Sequence, residues 1–206
     1  MVELGEGADR LEIPWADPDD PANRFYNLRA EPALLAQVVE ARANPALRGF
    51  LQSVNAPASF FGTAKCDTWT SNEFSAGERA SFPTAGTKYA SYVDLFFARD
   101  EFNFLRQHYE QLARRLAQQL TPEPAAARTE LCLRHCYYRE RKAWGYYLTI
   151  FLYGYAADPS HAQEQWTAGL ATLGRALRCI SELLQQALKQ AQAVGASPSE
   201  STRRGT

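Results

Sequence analysis

The sequence predicts an α+β protein: a four-stranded antiparallel sheet with helices packed mainly on one face, in the order α-β-β-α-β-β-α. The prediction depends on a unit that occurs twice, at about residues 59–120 and 130–189. In each unit, two aromatic-rich segments typical of strands precede a long amphipathic helix. A further helical segment precedes the first unit. Strand pairs alternating with helices are typical of a layered domain, in which one sheet face can stay open to solvent or to a ligand.

The chain of 206 residues is long enough for one domain with a hydrophobic core. We predict an irregular acidic arm over residues 1–24, a single α+β domain over 25–193 and a disordered tail over 194–206, where Gly, Ser, Pro and Thr dominate. Trp15 lies in a small apolar island of the arm, and we expect it to pack on the domain. The alternative is that this aromatic residue, set among carboxylates, serves as a short linear motif for a partner.

The first helical segment covers about residues 31–54, where apolar residues recur at helical spacing. Pro45 interrupts the segment, because proline lacks a backbone donor and clashes with the preceding turn. We therefore predict two short helices, the second carrying Leu47, Phe50 and Leu51.

The first predicted hairpin pairs residues 59–69 with residues 88–97, across a loop at 71–86. Both segments alternate with period two, which is typical of strands whose two faces differ. One face of the first strand is predicted to carry Phe61, Thr63, Lys65, Asp67 and Trp69. One face of the second is predicted to carry Tyr92, Asp94 and Phe96.

The second hairpin follows a helix that is predicted to start near Asp100, a good N-cap residue. Residues 144–155 are dense in Tyr, Ile, Phe and Leu and are therefore predicted to form a strand. Residues 130–139 allow two interpretations. Their Cys, Tyr and His content favours a strand, whereas the three alanines after Pro124 could open a helix. We favour a strand, joined to the next one by a charged hairpin loop.

The last helix begins at Asp158-Pro159, a capping residue followed by proline at the first helical position. Its apolar residues recur at steps of three and four, which predicts a continuous seam. The seam consists of Trp166, Leu170, Leu173, Leu177, Ile180, Leu184 and Ala187. We expect it to cover one face of the sheet. The alternative is that part of the 166–187 helix forms a homodimer interface.

The charge balance argues against one class of function. The chain has 22 Lys and Arg against 23 Asp and Glu, a formal net charge of -1, whereas nucleic-acid-binding proteins usually carry a basic excess. We therefore do not expect nucleic acid as a partner. The sequence shows no membrane span and no secretory signal at its start, so we expect a cytoplasmic protein.

The cysteines and histidines do not predict a metal centre or a nucleophile. In a strand, Cys132 and Cys136 lie roughly 13 Å apart at about 3.3 Å per residue, too far to share an ion, and His135 faces the other side. Cys66 or Cys136 paired with His135 or His108 is a conceivable nucleophile, but neither cysteine lies in a glycine-containing nucleophile turn. We expect reduced, mostly buried thiols and no cofactor, and the catalytic residues of any activity stay unknown.

The candidate binding residues lie on the predicted strands. Charged side chains in mid-strand, between large apolar neighbours, are costly to bury without partners, and Tyr, Trp and Arg are enriched at interaction hot spots. The simplest account is one solvated sheet face with cross-strand ion pairs. The functional account is a binding face formed by Lys65, Asp67, Trp69, Tyr92, Asp94, Arg134 and Tyr138.

Two functional hypotheses follow from this face. The first is a non-enzymatic binding or adaptor protein, or a chaperone-like protein, that holds a protein partner or an apolar ligand on an aromatic-rich sheet face. The second is a small enzyme in which Asp67 or Asp94 acts with Lys65 or Arg134 as an acid/base site. The first is favoured because no catalytic motif accompanies the surplus of aromatic residues.

Overall fold

The computed structural model describes residues 10–120 and 126–195, which form a curled five-stranded sheet packed against helices. The strands are β1 (Leu11–Ile13), β2 (Phe61–Ser71), β3 (Thr87–Phe97), β4 (Ala127–Tyr138) and β5 (Ala143–Ala156). The helices are α1 (Val39–Ala43), α2 (Pro45–Val54), α3 (Ala76–Ser81), α4 (Arg106–Gln119) and α5 (Pro159–Gly195), with short 3-10 helices at Pro32–Gln37 and Asp100–Phe102. The predicted α+β class is therefore confirmed.

Two parts of the predicted organisation lie outside the described residues: residues 1–9 of the arm and residues 196–206 of the tail. Among the helices in the described ranges, none combines the length and the apolar content that crossing a bilayer requires.

The strands are ordered β1-β4-β5-β3-β2 across the sheet, and neighbours are antiparallel except β1 and β4, which are parallel. The prediction of a four-stranded, wholly antiparallel sheet is therefore wrong, because part of the supposedly irregular arm adds a strand. β1 pairs Leu11 with Cys136 and Ile13 with Tyr138. The Leu11 and Ile13 side chains are each 7% exposed, and their burial stabilises a pairing of only three residues.

A β-bulge interrupts β2 between Thr63 and Cys66. The strict alternation predicted for this strand is therefore wrong. Thr63 pairs with Leu95 on the helix-covered face, whereas Asp67 pairs with Tyr92 on the other face. One extra residue in a strand exchanges the faces of all side chains on one side of it, which is why the pattern changes here.

The helix α5 covers one face of the sheet, together with α2 and α4. Trp166 is fully buried in this layer, and its Nε1 donates a hydrogen bond to Ser91 Oγ at 2.8 Å. On β5, Gly154 lies directly against the α5 backbone at Ala162 and Trp166, so that a side chain at this position would clash. The helix therefore packs on the strand backbone itself.

The apolar seam of α5 belongs to this core. Its first five residues are at most 2% exposed within the chain: Trp166, Leu170, Leu173, Leu177 and Ile180. They are therefore not available for the homodimer interface considered above. The helix continues to Gly195, and Leu183, at 46% exposed, lies beyond the point where α5 is fully covered.

The break predicted at Pro45 is confirmed, and Asn44 accounts for it. The Asn44 side-chain oxygen caps α2 by accepting the N–H groups of Ala46 at 3.0 Å and Leu47 at 3.2 Å.

The helix predicted to start near Asp100 starts later, at Arg106. The fully buried Asn103 side chain accepts the Phe97 N–H at 2.9 Å, donates to the Phe97 carbonyl at 2.8 Å and accepts the Tyr109 hydroxyl at 2.6 Å. These bonds hold residues 100–102 as a separate turn at the end of β3.

Two segments remain, residues 130–139 and residues 71–86, and the sequence predicted the first better than the second. Residues 130–139, for which strand and helix were both considered, form a strand within β4. The loop predicted over 71–86 contains the short helix α3, which begins with a capping box: Ser75 Oγ accepts the Glu78 N–H, and Glu78 Oε2 accepts the Ser75 N–H. A helix of 6 residues is too short to show a helical period, so the pattern missed it.

Candidate functional site

The candidate site lies on the sheet face opposite α5, and we call its central part the open face. Strand pairing arranges its side chains in rows, because directly paired residues point to the same side of the sheet. One row is Asp67, Tyr92, Phe151 and Glu130, and the next is Asp94, Thr149 and Cys132. The open face consists of these seven residues together with Trp69, Tyr153, Arg128 and Arg134.

Four aromatic side chains form a continuous floor across the open face. The ring centroids of Trp69 and Tyr92 lie 6.4 Å apart, those of Tyr92 and Phe151 6.1 Å, and those of Phe151 and Tyr153 6.4 Å. All four side chains are partly exposed. The helices α2, α4 and α5 contribute to the core on the opposite face instead. The open face therefore presents aromatic surface to solvent.

Asp94 lies in the row next to this floor and is only 5% exposed. Its Oδ1 accepts a hydrogen bond from Thr149 Oγ1 at 2.7 Å, which offsets part of the cost of burying a carboxylate. Burial, and then the carboxylates of Asp94 and Asp67, raise the pKa of Tyr92 to about 12. The Tyr92 hydroxyl is therefore a neutral donor at physiological pH.

Arg134 places a cation on the same face. Its guanidinium carbon lies 5.8 Å from the ring centroid of Phe151, within cation–π range. Burial alone would lower the pKa of Arg134, but its interactions with Cys132 and Tyr147 raise that pKa above its usual value. The open face thus holds a permanent positive charge on the same side of the sheet as the buried Asp94 carboxylate.

The arm covers one end of this sheet face, and Tyr138 lies under it. Tyr138 is 6% exposed, its hydroxyl donates to the Tyr146 carbonyl at 2.6 Å, and its ring packs against Phe104 with centroids 5.5 Å apart. Tyr138 therefore belongs to the small core that contains Leu11 and Ile13. The structure separates it from the other predicted site residues.

Helix α3 covers the opposite end of the face, where Glu78 is 7% exposed. Glu78 Oε1 lies 2.8 Å from Lys88 Nζ and accepts the Tyr155 hydroxyl at 2.9 Å. Burial alone would raise the pKa of Glu78, but the bonds from Lys88, Ser75 and Tyr155 outweigh it and lower the pKa to about 2. A charged, fully bonded carboxylate therefore fastens α3 to the sheet.

Lys65 is turned away from the aromatic floor. It lies in the β2 bulge, and its Nζ is 4.3 Å from the ring centroid of Trp15. Trp15 in turn donates from Nε1 to the Ala64 carbonyl at 2.9 Å. The expectation that Trp15 packs on the domain agrees with this geometry, since the ring and Lys65 tie the arm to β2.

A cavity of about 660 Å³ lies beside β2, between the arm and α1. Its lining includes Lys65, Asp67 and Tyr92 from the predicted site, together with Trp15 from the arm and Glu40 from α1. The cavity meets the open face at Asp67 and Tyr92, so the two features form one continuous surface.

Two cysteines near this site, Cys66 and Cys136, are held as protonated thiols. Burial is the main cause that raises the pKa of Cys66 and of Cys136 to about 12, with nearby carboxylates adding to it. Thiols with such pKa values stay protonated at neutral pH, and only the thiolate attacks or binds metal. Within residues 10–120 and 126–195, no three His, Cys, Asp or Glu side chains are grouped so that they could hold a metal ion.

Five of the seven predicted site residues therefore meet on the open face: Asp67, Trp69, Tyr92, Asp94 and Arg134. Sequence reasoning missed Phe151 and Tyr153, although the period of β5 could have assigned both to one face. It also missed Glu40, which only the packing of α1 beside β2 brings to the site.

Comparison of the chain with protein-family models, with curated proteins and with solved structures finds no match. A proposal for its function must therefore come from the chemistry of the site.

Proposed function

We propose that this protein is a non-enzymatic binding protein, of the adaptor or chaperone-like kind, that holds a protein partner on the open face. One observation carries the proposal: the rings of Trp69, Tyr92, Phe151 and Tyr153 form a continuous floor that stays partly exposed. Contiguous apolar surface of this kind is disfavoured in water and is characteristic of interaction sites, where Trp and Tyr are enriched.

A protein partner suits this face better than a small apolar ligand. Small-ligand sites are enclosed and mostly apolar, whereas the open face is flanked by charged groups. Arg128 and Glu130 form an ion pair of 2.8 Å on β4, and Asp67 is exposed on β2 at the other side. An aromatic centre with a polar, charged rim is the usual composition of protein–protein interfaces.

One observation favours the enzymatic alternative. Asp94 is a buried carboxylate that shares the open face with Arg134. However, Lys65 is turned toward Trp15, and His135 lies beside Tyr146 on the other face of the sheet. Of the groups that this hypothesis names, Asp67 and Arg134 share the open face with Asp94, whereas Lys65 is turned away from it. A substrate turned over by the wild type but not by Asp94→Asn, with partner binding unchanged, would favour the enzyme.

The test of the binding proposal is native mass spectrometry of the protein purified gently from its own host, with two matched variants. Trp69 lies on the open face, whereas Trp144, 52% exposed, lies at the start of β5 away from it. We expect the wild type and Trp144→Ala to retain a stoichiometric protein partner. We expect Trp69→Ala to bind it at least about tenfold more weakly, since truncation of a hot-spot aromatic typically costs about 2 kcal/mol or more.

Circular dichroism and thermal melting check that both tryptophan variants fold. Equal retention of the partner by folded Trp69→Ala and Trp144→Ala would contradict the proposal. A small apolar molecule carried through purification in place of a protein would also contradict it.

A further inference from the structure

β2 is the last strand in the order of the sheet, so its outer edge faces away from β3. The described residues contain no strand on the side of β2 that faces away from β3. An edge of this kind carries backbone N–H and C=O groups that can pair with an added strand. Proteins normally protect such edges. The two halves of the β2 edge, before and after the bulge, differ in how they are protected.

The half of the edge before the bulge is protected by side chains of the same chain. The Phe61 N–H is bonded by Ser59 Oγ at 3.1 Å, and the Thr63 N–H by Asn55 Oδ1 at 3.0 Å. The Ala64 carbonyl accepts the Trp15 indole N–H. With the bulge that follows, these contacts close this half to a further strand.

In the half after the bulge, the outward Thr68 N–H is bonded by the side chain of its neighbour Asp67, which an added strand would displace. Residues in an antiparallel strand direct their backbone groups alternately toward and away from the neighbouring strand. Thr68 is directed away from β3, because its N–H is bonded by the exposed side chain of Asp67 at 2.7 Å. By the same alternation, Cys66 and Thr70 also direct their backbone groups outward. Three consecutive pairing positions therefore line the outer edge of β2, beside the 660 Å³ cavity.

Two carboxylates flank this half of the edge, one on each side. Glu40 lies on the α1 side of the cavity, and Asp67 lies on the open face. After burial, the carboxylates of Glu40, Asp67 and Asp94 are what raise the pKa of the Cys66 thiol, so all three carboxylates act on the edge at Cys66. Three cations also line the cavity: Lys65 is held over Trp15, Arg24 lies 5.6 Å from the ring centroid of Tyr26, and Arg42 is exposed on α1.

We infer that the outer edge of β2 from Cys66 to Thr70 pairs with an extended segment of a partner protein, and that this segment carries lysine or arginine beside Asp67 and Glu40. The inference deepens the proposed function and rests on it. Added strands gain affinity from backbone hydrogen bonds and specificity from alternate side chains. Here a basic side chain on the open-face side of the added strand meets the Asp67 carboxylate and the rings of Trp69 and Tyr92, which favour a cation.

The test uses two fluorescein-labelled nonapeptides, one alternating threonine with lysine and one alternating threonine with glutamate. Fluorescence anisotropy at low salt is expected to show binding of the lysine peptide and at least about tenfold weaker binding of the glutamate peptide. Thr68→Pro removes the outward N–H and leaves the bonds to β3 intact, since proline is tolerated on the free side of an edge strand. We expect Thr68→Pro to abolish binding of the lysine peptide, and Thr68→Ala, which keeps the N–H, to retain it.

Amide hydrogen exchange on the wild type supplies a measurement that does not depend on the folding of any variant. Addition of the lysine peptide is expected to slow exchange at Cys66, Thr68 and Thr70 and to leave the already bonded amide of Thr63 unchanged. Unchanged exchange at all three positions would overturn the inference, as would equal affinity for the two peptides. A wild-type dimer in sedimentation that Thr68→Pro converts to monomer would also overturn it, because the occupant would then be a second copy of this chain.

The edge and the open face can fail separately. If Trp69→Ala loses the partner isolated from the host while folded Thr68→Pro keeps it, the proposed function stands and the edge inference is wrong. If the lysine peptide protects the edge amides while Trp69→Ala and Trp144→Ala keep the partner equally, the open-face proposal is wrong and edge pairing stands.

Discussion

At the scale of single residues, Glu78 is the clearest case of a side chain whose environment decides its chemistry. It is 7% exposed, is paired with Lys88 at 2.8 Å and accepts the Tyr155 hydroxyl. These bonds favour the charged carboxylate, and its pKa is about 2 instead of 4.5. Sequence reasoning placed Glu78 in a loop, because nothing in the local pattern indicates the lysine and tyrosine that surround it.

We predict that Glu78 makes the stability of the protein depend on acid pH. Because the pKa of Glu78 is lower in the folded than in the unfolded chain, its contribution is complete above about pH 4.5 and is lost as the pH falls toward 2. The difference in pKa corresponds to about 3 kcal/mol. Urea unfolding of Glu78→Gln should show a loss of this size at pH 7 that shrinks progressively as the pH is lowered to 3.

The control for this prediction is Glu73→Gln, the same substitution at an exposed position shortly before α3. Its free energy of unfolding should stay within about 0.5 kcal/mol of the wild type at both pH values. If Glu78→Gln and Glu73→Gln behave alike, the charged bonds of Glu78 do not fasten α3.

At the scale of elements, two glycines show how closely the helices approach their neighbours. Gly154 lies where the backbone of α5 touches β5, at Ala162 and Trp166. Gly49 lies exposed within α2, and a Cβ there would meet nothing within 4 Å. The same residue type is therefore required at one position by packing and disfavours the helix at the other.

We predict opposite effects for the same substitution at these positions. Gly154→Ala forces α5 away from the sheet and should lower the free energy of unfolding by about 3 kcal/mol, at the upper end of overpacking costs. Gly49→Ala should raise it by about 0.5–1 kcal/mol, because alanine is the better helix former and fits without contact. Urea unfolding of the two variants measures both. Near-neutral behaviour of Gly154→Ala would mean that α5 can move on β5.

At the scale of the whole molecule, the two faces of the sheet differ in how far other elements cover them. One face is covered by α5 and its neighbours, and the buried seam through Leu177 leaves no apolar residue of that stretch for another chain. The other face is covered at its two ends, by the arm and by α3, and its aromatic floor is the surface from which the proposed function follows.

We predict that two leucines of α5 respond differently to the same change. Leu177 is 1% exposed and Leu183 is 46% exposed. Leu177→Glu should prevent folding, because it places a charge without a partner in the core, whereas Leu183→Glu should leave the free energy of unfolding within about 0.5 kcal/mol of the wild type. Circular dichroism with sedimentation checks both. A well-folded Leu177→Glu monomer from a dimeric wild type would instead assign the seam to a homodimer interface.

Part of the candidate site could be predicted because its residues lie on strands with a regular period. Alternation within β3 placed Tyr92 and Asp94 together, and the structure agrees. It failed for Lys65 because the bulge in β2 is a departure from that period, and for Tyr138 because the arm covers its end of β4. No sequence pattern indicated the cavity beside β2, because its walls come from segments far apart in the chain.

The amino-acid pattern alone was enough for the α+β class, the two hairpins, the break at Pro45 and the start of α5, because strand alternation, helical spacing and caps are properties of neighbouring residues. Only the tertiary structure decided that Leu11–Ile13 forms a fifth strand, that α3 is held at the end of the open face and that one edge of β2 has no neighbouring strand within the described residues. Each of these depends on contacts between distant residues, whose burial and hydrogen bonds stabilise segments that have too little local preference to be recognised by themselves.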